Sequence, residues 1–351
     1  MARRVLGTFL SDVPEEIIHA AGLLPFALLG GNKTQSSLAT IPSFACSLII
    51  STINEALLNR LDFLDGIVVP HYCDSSRPLL HIWQNNFPNH FSDLLRLPMK
   101  LDSEAAKAYL VGELERFKEA LERAFGVSVS DEVLSRSINT YNGNRRYLRT
   151  IKTRRLEDPD FMTNYDFFSL IKSSMMSLKD EHNTILKNIL DIDKESSAQD
   201  SHRKAIRRVF VSGILAEPLE IFKWMDELGI TVADDDLAVG TRYFSYDVNE
   251  EGDPLDALAE SYFHRIPSAL VQGSEGRASY LLRRVRENDL KGVVFVQLKF
   301  CDPLVYDYPN MKKTIDREGI PSLFIETDLQ TLTTGQIKTR LQAFAEILEG
   351  I

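Results

Sequence analysis

Two runs in this 351-residue chain leave little choice of fold. Gly66-Ile-Val-Val-Pro70 and Gly292-Val-Val-Phe-Val-Gln-Leu298 are apolar nearly throughout, without apolar/polar alternation. A strand with one wet face alternates. A strand that does not is covered on both faces, the condition of a parallel sheet flanked by helices. The neighbouring segments have the matching pattern. In the first third, strand-like pieces at 4–10, 25–29 and 66–70 are separated by helical spacing at 15–21, 43–60 and 77–87. In the last third, strand-like pieces at 204–215, 230–233, 292–298 and 321–326 alternate with helical stretches at 217–228, 254–264, 275–287, 308–318 and 334–348. Strands alternating with helices at these lengths make a parallel sheet.

Between the two, the period changes. Leu110, Leu114, Phe117, Leu121 and Phe125 recur at spacings of three and four, which makes an amphipathic helix. Val133, Ile138, Tyr141 and Tyr147 continue it, followed by 167–178 and 180–190. The expected fold class is therefore α/β, with two Rossmann-like or flavodoxin-like parallel-sheet domains at 1–102 and 204–351. A helical connector at 103–203 joins them. The length suits two cores rather than one, and no low-complexity linker or short-period repeat interrupts the chain.

Composition narrows the function. The hydrophobic share of 44% and charged share of 26% are those of a globular protein. A net charge of −10 argues against nucleic acid, whose binding rests on neutralising phosphates. It leaves room for a small anionic ligand at a local basic patch, for which Arg145–Arg146, Arg154–Arg155 and Arg283–Arg284 qualify, as do helix surfaces of mixed charge. The longest apolar stretch, 41–58, is broken by Ser47, Ser51, Asn54 and Glu55, so no membrane span is expected. Met1-Ala-Arg-Arg is followed by Asp12, Glu15 and Glu16 without a cleavage site, unlike a signal peptide. A cytoplasmic protein is expected, in which three cysteines do not pair as disulfides.

The positions of those cysteines say more than their number. Cys73 lies three residues beyond Pro70, and Cys301 three beyond Leu298, both at carboxyl ends of expected parallel strands, where open α/β sheets bind ligands. Each precedes an Asp, a good helix cap, with a proline soon after. Cys46 falls in the first turn after Pro42-Ser43, with Ser43 as the expected cap. A helix start carries partial positive charge, which favours thiolates and anionic clusters. Three thiolates converging on one site, and strand-end cysteines met by chance, both remain open on position alone. No Cys-x-x-Cys is present. His71 is either a fourth ligand or, as strand-end histidines more often are, a hydrogen-bonding group. Gly30-Gly31-Asn32-Lys33 lacks the phosphate-loop patterns and reads as a turn. Asp234-Asp235-Asp236 reads as a capped loop before a divalent-ion site, Ser212-Gly213 is no hydrolase elbow, and Trp83 and Trp224 read as core.

Longer stretches carry a resemblance. Pro14-Glu-Glu-Ile-Ile-His-Ala-Ala-Gly-Leu-Leu-Pro25, Leu61-Asp-Phe-Leu-Asp-Gly-Ile-Val-Val-Pro-His-Tyr-Cys-Asp-Ser-Ser-Arg-Pro78 and Gln297-Leu-Lys-Phe-Cys-Asp-Pro303 are similar to subunits of the 2-hydroxyacyl-CoA dehydratase and benzoyl-CoA reductase family. So are Tyr308-Pro309, Gly319-Ile-Pro321, Glu326-Thr-Asp328, Gly335-Gln336, Thr339-Arg340 and Ala343-Phe344-Ala345-Glu346. The likeness spans nearly the whole chain and is nearest to the smaller, second subunit.

The resemblance implies a [4Fe–4S] cluster on Cys46, Cys73 and Cys301, leaving one iron without a protein thiolate. It implies a heterodimer with a homologous second subunit, an acyl-CoA substrate at or near the complex, and an ATP-hydrolysing activator carrying its own iron–sulfur cluster. The absence of a Walker motif agrees with ATP being handled elsewhere. In the dehydratases one low-potential electron makes a ketyl radical that expels the hydroxyl group; in the reductases the aromatic ring is reduced. If this subunit relays electrons, Asp74, Arg77 and Asp302 tune or orient the cluster. Glu16, His19 and Glu55, with Arg77, are the candidates for a catalytic role, against surface or capping duty. The chain starts almost at its first strand, where family members often carry a preceding helical segment, which bears on partner contacts. The alternative is an electron-transfer or cluster-carrier protein without a substrate site.

Overall fold

The computed structural model describes residues 3–31, 41–42, 44–88, 90–196, 207–270, 274–329 and 334–350. The first sheet contains β1 (Val5–Thr8), β2 (Leu24–Ala27), β3 (Gly66–Pro70) and β4 (Phe91–Leu95), in the order β2-β1-β3-β4 with every pair parallel. α1 (Glu15–Ala20), α2 (Ser47–Leu57) and α3 (Ser76–Asn86) connect its strands. β3 is buried at every position, as its unbroken apolar run requires. β4 has no signal in the sequence reading. Ser92 and Asp93 sit in its middle because it is an edge strand, and Asp93 accepts two hydrogen bonds from Arg116 at 3.0 and 2.8 Å.

Four helices follow: α4 (Glu104–Phe125), α5 (Asp131–Glu157), α6 (Asn164–Ser174) and α7 (Lys179–Ser196). Their starts are written locally. The hydroxyls of Ser103, Ser130 and Thr163 each accept an amide of the first turn, and Gly126 ends α4 at φ +65°.

The second sheet contains β5 (Arg207–Gly213), β6 (Ile230–Asp235), β7 (Gly292–Leu298) and β8 (Ser322–Thr327), in the order β6-β5-β7-β8, again all parallel. α8 (Glu220–Glu227), α9 (Thr241–Phe244), α10 (Pro254–Phe263), α11 (Ser274–Glu287), α12 (Asp302–Arg317) and α13 (Thr334–Glu349) surround it. The two sheets repeat one topology: the first strand lies inside, the second on one flank, the third and fourth on the other. Two related α/β halves are therefore present.

The helical segment joins them without a gap. α1 packs on α5, α10 on α4, and α6 on α8. Phe168 of α6 stacks on Phe222 of α8 with ring centroids 3.8 Å apart, and burying each ring contributes roughly 2–3 kcal/mol. One apolar core runs from Leu6 through Phe117 and Ile138 to Leu298 and Leu348. Among the described residues no helix is long and apolar enough to cross a membrane.

His182 of α7 is buried with a fixed tautomer. The Asn144 amide nitrogen lies 3.0 Å from Nδ1 and also donates to Asn183, while the Asn144 carbonyl oxygen accepts from Ser174. Nδ1 therefore accepts, and Nε2–H donates to Ser173 Oγ at 3.0 Å. Burial, then the Lys179 ammonium, lower its pKa from 6.5 to about 4. A histidine lowered in this way favours the folded state fully above pH ~6.5, and that contribution declines as pH falls toward ~4. The loss should total about 3 kcal/mol, about 2 of it by pH 5. Urea unfolding at pH 7.5 and 5 should show this loss in the native protein and much less in His182→Gln; equal losses would assign the pH dependence to other groups.

Close strand approach fixes a second position. A Cβ on Gly213 would stand 2.3 Å from the Val296 carbonyl oxygen of the paired strand, whereas one on Gly112, exposed on α4, meets nothing within 4 Å. Gly213→Ala should cost about 2–3 kcal/mol, and Gly112→Ala should add about 0.5–1 kcal/mol. Chemical denaturation of both variants checks the two signs.

Candidate functional site

In each sheet the chain leaves the first strand to one side and returns on the other. The carboxyl ends of the first and third strands then frame a crevice, the place where such sheets bind ligands. Cys73 follows β3, the third strand of its half, and Cys301 follows β7, the third strand of the other. They occupy corresponding positions in the two halves. Cys46 caps α2, and the amide of Ser47 beside it donates to the Lys299 carbonyl at 3.4 Å. The start of α2 is thus tied to the loop that carries Cys301.

The local chain holds each cysteine in place. Ser76 Oγ accepts from the amides of Tyr72 and Cys73 at 3.2 Å and donates to the Cys73 carbonyl at 2.8 Å, closing the loop into α3. The Cys301 carbonyl accepts from the amides of Leu304 and Val305, so Cys301 begins α12, with Pro303 in the first turn as the sequence pattern requires. Phe300, just before it, sits at φ +61°, a left-handed conformation that costs a bulky residue energy and that bent loops at binding sites use.

Cys46 and Cys301 are buried and Cys73 is half-buried; all three are free thiols. The Cys46 thiol is pushed up to about 11: burial raises it most, the amides of Leu48 and Ile49 directed at its sulfur lower it, and Cys73 and Asp302 raise it. Cys301 is pushed up by burial and then by Cys46, against the Leu304 amide. The three sulfurs thus lie within one another's electrostatic reach. Among the described residues no three His, Cys, Asp or Glu side chains are grouped to hold a single metal ion. A multi-iron cluster spreads its ligands wider than one ion does, and sulfur donors with backbone amides aimed at them are the set such clusters take.

The other expected residues are placed as follows. Asp74, Arg77 and Asp302 are exposed beside the cysteines. The His71 amide donates to the Leu95 carbonyl at 2.8 Å. Glu16 is buried and bonded to Arg145; burial alone would raise its pKa, but the Arg145 guanidinium outweighs this and lowers it. Its duty is neither surface nor capping. His19 Nδ1 lies 2.9 Å from Ser137 Oγ, and Nε2 lies 3.6 Å from Asp180. Glu55 is nine residues along α2 from Cys46, roughly 14 Å, where it pairs with Arg60 at 2.8 Å. Gly31 is tied in a turn to Ser51. Asn32, Lys33 and the expected cap Ser43 lie outside the described residues. Asp234 pairs with Lys152 and Arg284, Asp235 accepts from Thr241 and Leu237, and Asp236 accepts from Arg277, Ser212 and Gly213; contrary to the expected loop, Asp234 and Asp235 are the last residues of β6, paired with β5, and only Asp236 follows the strand. Trp83 is buried and Trp224 packs against the core.

Sequence reasoning missed a polar network beside Cys73. The Tyr72 hydroxyl donates to Asp12, whose other carboxylate oxygen accepts from Arg265 at 3.1 Å and whose carbonyl accepts from Tyr262 at 2.7 Å. Next to it, Ser11 Oγ, Glu15 Oε1 and Tyr141 Oη have no hydrogen-bond partner among the described residues and border a cavity of about 20 Å³, room for one water. The adjacency of Tyr72 to Cys73 was the one available signal.

Against known proteins, the family described as 2-hydroxyglutaryl-CoA dehydratase, D-component, matches residues 10–348. The (R)-phenyllactyl-CoA dehydratase beta subunit of Clostridium sporogenes is 30% identical over 347 residues, covering 99% of this chain and 92% of that one. The lactoyl-CoA dehydratase subunit beta of Anaerotignum propionicum is 32% identical over 339 residues, covering 95% and 89%. A benzoyl-CoA reductase subunit of Thauera aromatica is 30% identical over 328 residues, covering 91% and 84%. With the family match running over residues 10–348, the chain belongs to the 2-hydroxyglutaryl-CoA dehydratase D-component family.

Proposed function

We propose that this chain is the iron–sulfur subunit, of the smaller second type, in a 2-hydroxyacyl-CoA dehydratase or a benzoyl-CoA reductase. Cys46, Cys73 and Cys301 would hold a [4Fe–4S] cluster, with one iron free of protein thiolate. The observation that carries the reading is the placement of the three thiols: Cys73 and Cys301 at corresponding strand ends of the two halves, and Cys46 at a helix start tied to the Cys301 loop. When bound, such a cluster supplies single-electron transfer at low potential.

The residues of the chain bind and shield it. The amides of Leu48, Ile49 and Leu304 offset negative charge on sulfur, and the starts of α2 and α12 add their partial positive charge. Leu48, Leu298 and Leu304, close in the chain to Cys46 and Cys301, are buried with them in the apolar core. Asp12, Tyr72 and Ser76 hold the Cys73 loop. Phe44, Phe300, Val305 and Tyr306 stand exposed beside Cys46 and Cys301, Tyr306 at 85%, which supports a protein partner over this face. That partner is the homologous subunit of a heterodimer, acyl-CoA binds at or near the complex, and a separate ATP-hydrolysing activator with its own cluster delivers the electron. Relatives named as dehydratase and as reductase subunits are about equally similar, so the proposal covers both reactions. The free thiols fit a reducing cytoplasm.

Anaerobically purified protein should contain about four iron and about four acid-labile sulfide per chain. Cys301→Ala should lose most of both and unfold at a lower temperature, because a bound metal group is linked to folding. No iron in the native protein would defeat the proposal, and full iron in the variant would remove Cys301 from the ligand set.

A further inference from the structure

A cleft of about 850 Å³ opens along β6, between α5, α9 and α11, and contains no cysteine. The chain as a whole is acidic, at −10, yet this cleft is lined by Arg149, Lys152, Arg208, Arg265, Arg283 and Arg284, with Glu157 as the one acidic lining residue among the described residues. Salt bridges do not cancel that charge evenly. Arg149 is matched by Asp247 and Arg265 by Asp12. Lys152 and Arg284 share the single buried carboxylate of Asp234, and Arg284 shares Glu287 with Arg283, the latter at 3.9 Å. The Arg208 guanidinium donates to the Leu156 carbonyl at 3.1 Å and has no carboxylate partner among the described residues. Among the described residues, Lys152, Arg208, Arg283 and Arg284 thus meet only Asp234 and Glu287 within ion-pair distance. Asp234 also fixes the direction of Lys152 and Arg284, so part of the positive charge is held in place before any ligand arrives.

We propose that this cleft binds a polyphosphate ester of nucleotide type. Guanidinium groups donate paired hydrogen bonds to phosphate oxygens, and Lys152 adds a point charge. The volume suits a ligand larger than phosphate itself. Half-buried Tyr280, with Ile266 and Pro267, gives the same cleft an apolar side for a ring. The ligand is either a free nucleotide or the nucleotide end of a larger carrier such as coenzyme A. The inference stands on the charge of the cleft alone and does not depend on the cluster reading.

The test is calorimetric titration of the full chain with pyrophosphate, ADP and coenzyme A at low salt, with iron content recorded separately. ADP and coenzyme A should both bind, pyrophosphate should compete, and added salt should weaken all three. Equal affinity for ADP and coenzyme A identifies the free nucleotide as the ligand; tighter binding of coenzyme A, by about tenfold or more, identifies the carrier. Arg208→Gln and Arg283→Gln should each weaken binding about tenfold. Arg283 is 62% exposed, so its variant keeps the fold, which thermal unfolding verifies. Absence of binding at millimolar ADP and coenzyme A overturns the proposal, as does binding undiminished in both variants.

Discussion

Three carboxylates enter the seam between the two sheets straight after β1, and each is buried: Asp12, Glu15 and Glu16. A buried carboxylate without a counter-charge costs several kcal/mol, so each needs a partner, and every partner comes from far along the chain. Glu16 takes Arg145, 129 residues on, from α5. Glu15 takes Tyr243 at 2.8 Å from α9 and Lys179 at 3.4 Å from α7. Asp12 takes Arg265 from beyond α10 and Tyr72 from beyond β3. Neither half buries these charges alone, which couples the two sheets and the connector into one structure.

That coupling is what the cysteines depend on. Tyr72, which anchors to Asp12, is the residue before Cys73. Ser47, beside Cys46, reaches across to Lys299 near Cys301. The left-handed turn at Phe300 costs energy of order 1–3 kcal/mol and persists because β7, fully buried and paired on both sides, allows the chain no other exit. The same logic shapes the cationic cleft. Asp234, at the end of an edge strand, is the fixed charge around which Lys152 and Arg284 gather from helices on opposite sides.

Much of this was legible from residues. The unalternated runs of β3 and β7 required parallel sheets, and the helical period from Leu110 onward marked the connector. The strand ends that carry Cys73 and Cys301 were legible too, from the apolar runs that precede them. Other features left no local mark. β4 carries Ser92 and Asp93 because Arg116, 23 residues away, satisfies Asp93, so its pattern does not alternate as a strand should. β6 runs on through Asp234 and Asp235 for a similar reason. Glu16 and Glu55 look alike as acids on apolar helices, but one is locked to Arg145 in the seam and the other to Arg60 at the far end of α2.

The sequence by itself therefore determined the class of fold and the helical period of the long helices, because burial on both faces and helical spacing are properties of neighbouring residues. Only the tertiary structure decided that the two halves share one strand order, that Cys73 and Cys301 take corresponding places with the start of α2 tied to the Cys301 loop, and which charges are paired or left over. Strand neighbours are chosen by crossovers that span tens of residues. The partner of a buried charge is chosen by whatever the folded chain brings within a few ångströms. Neither quantity is written in any local window of residues.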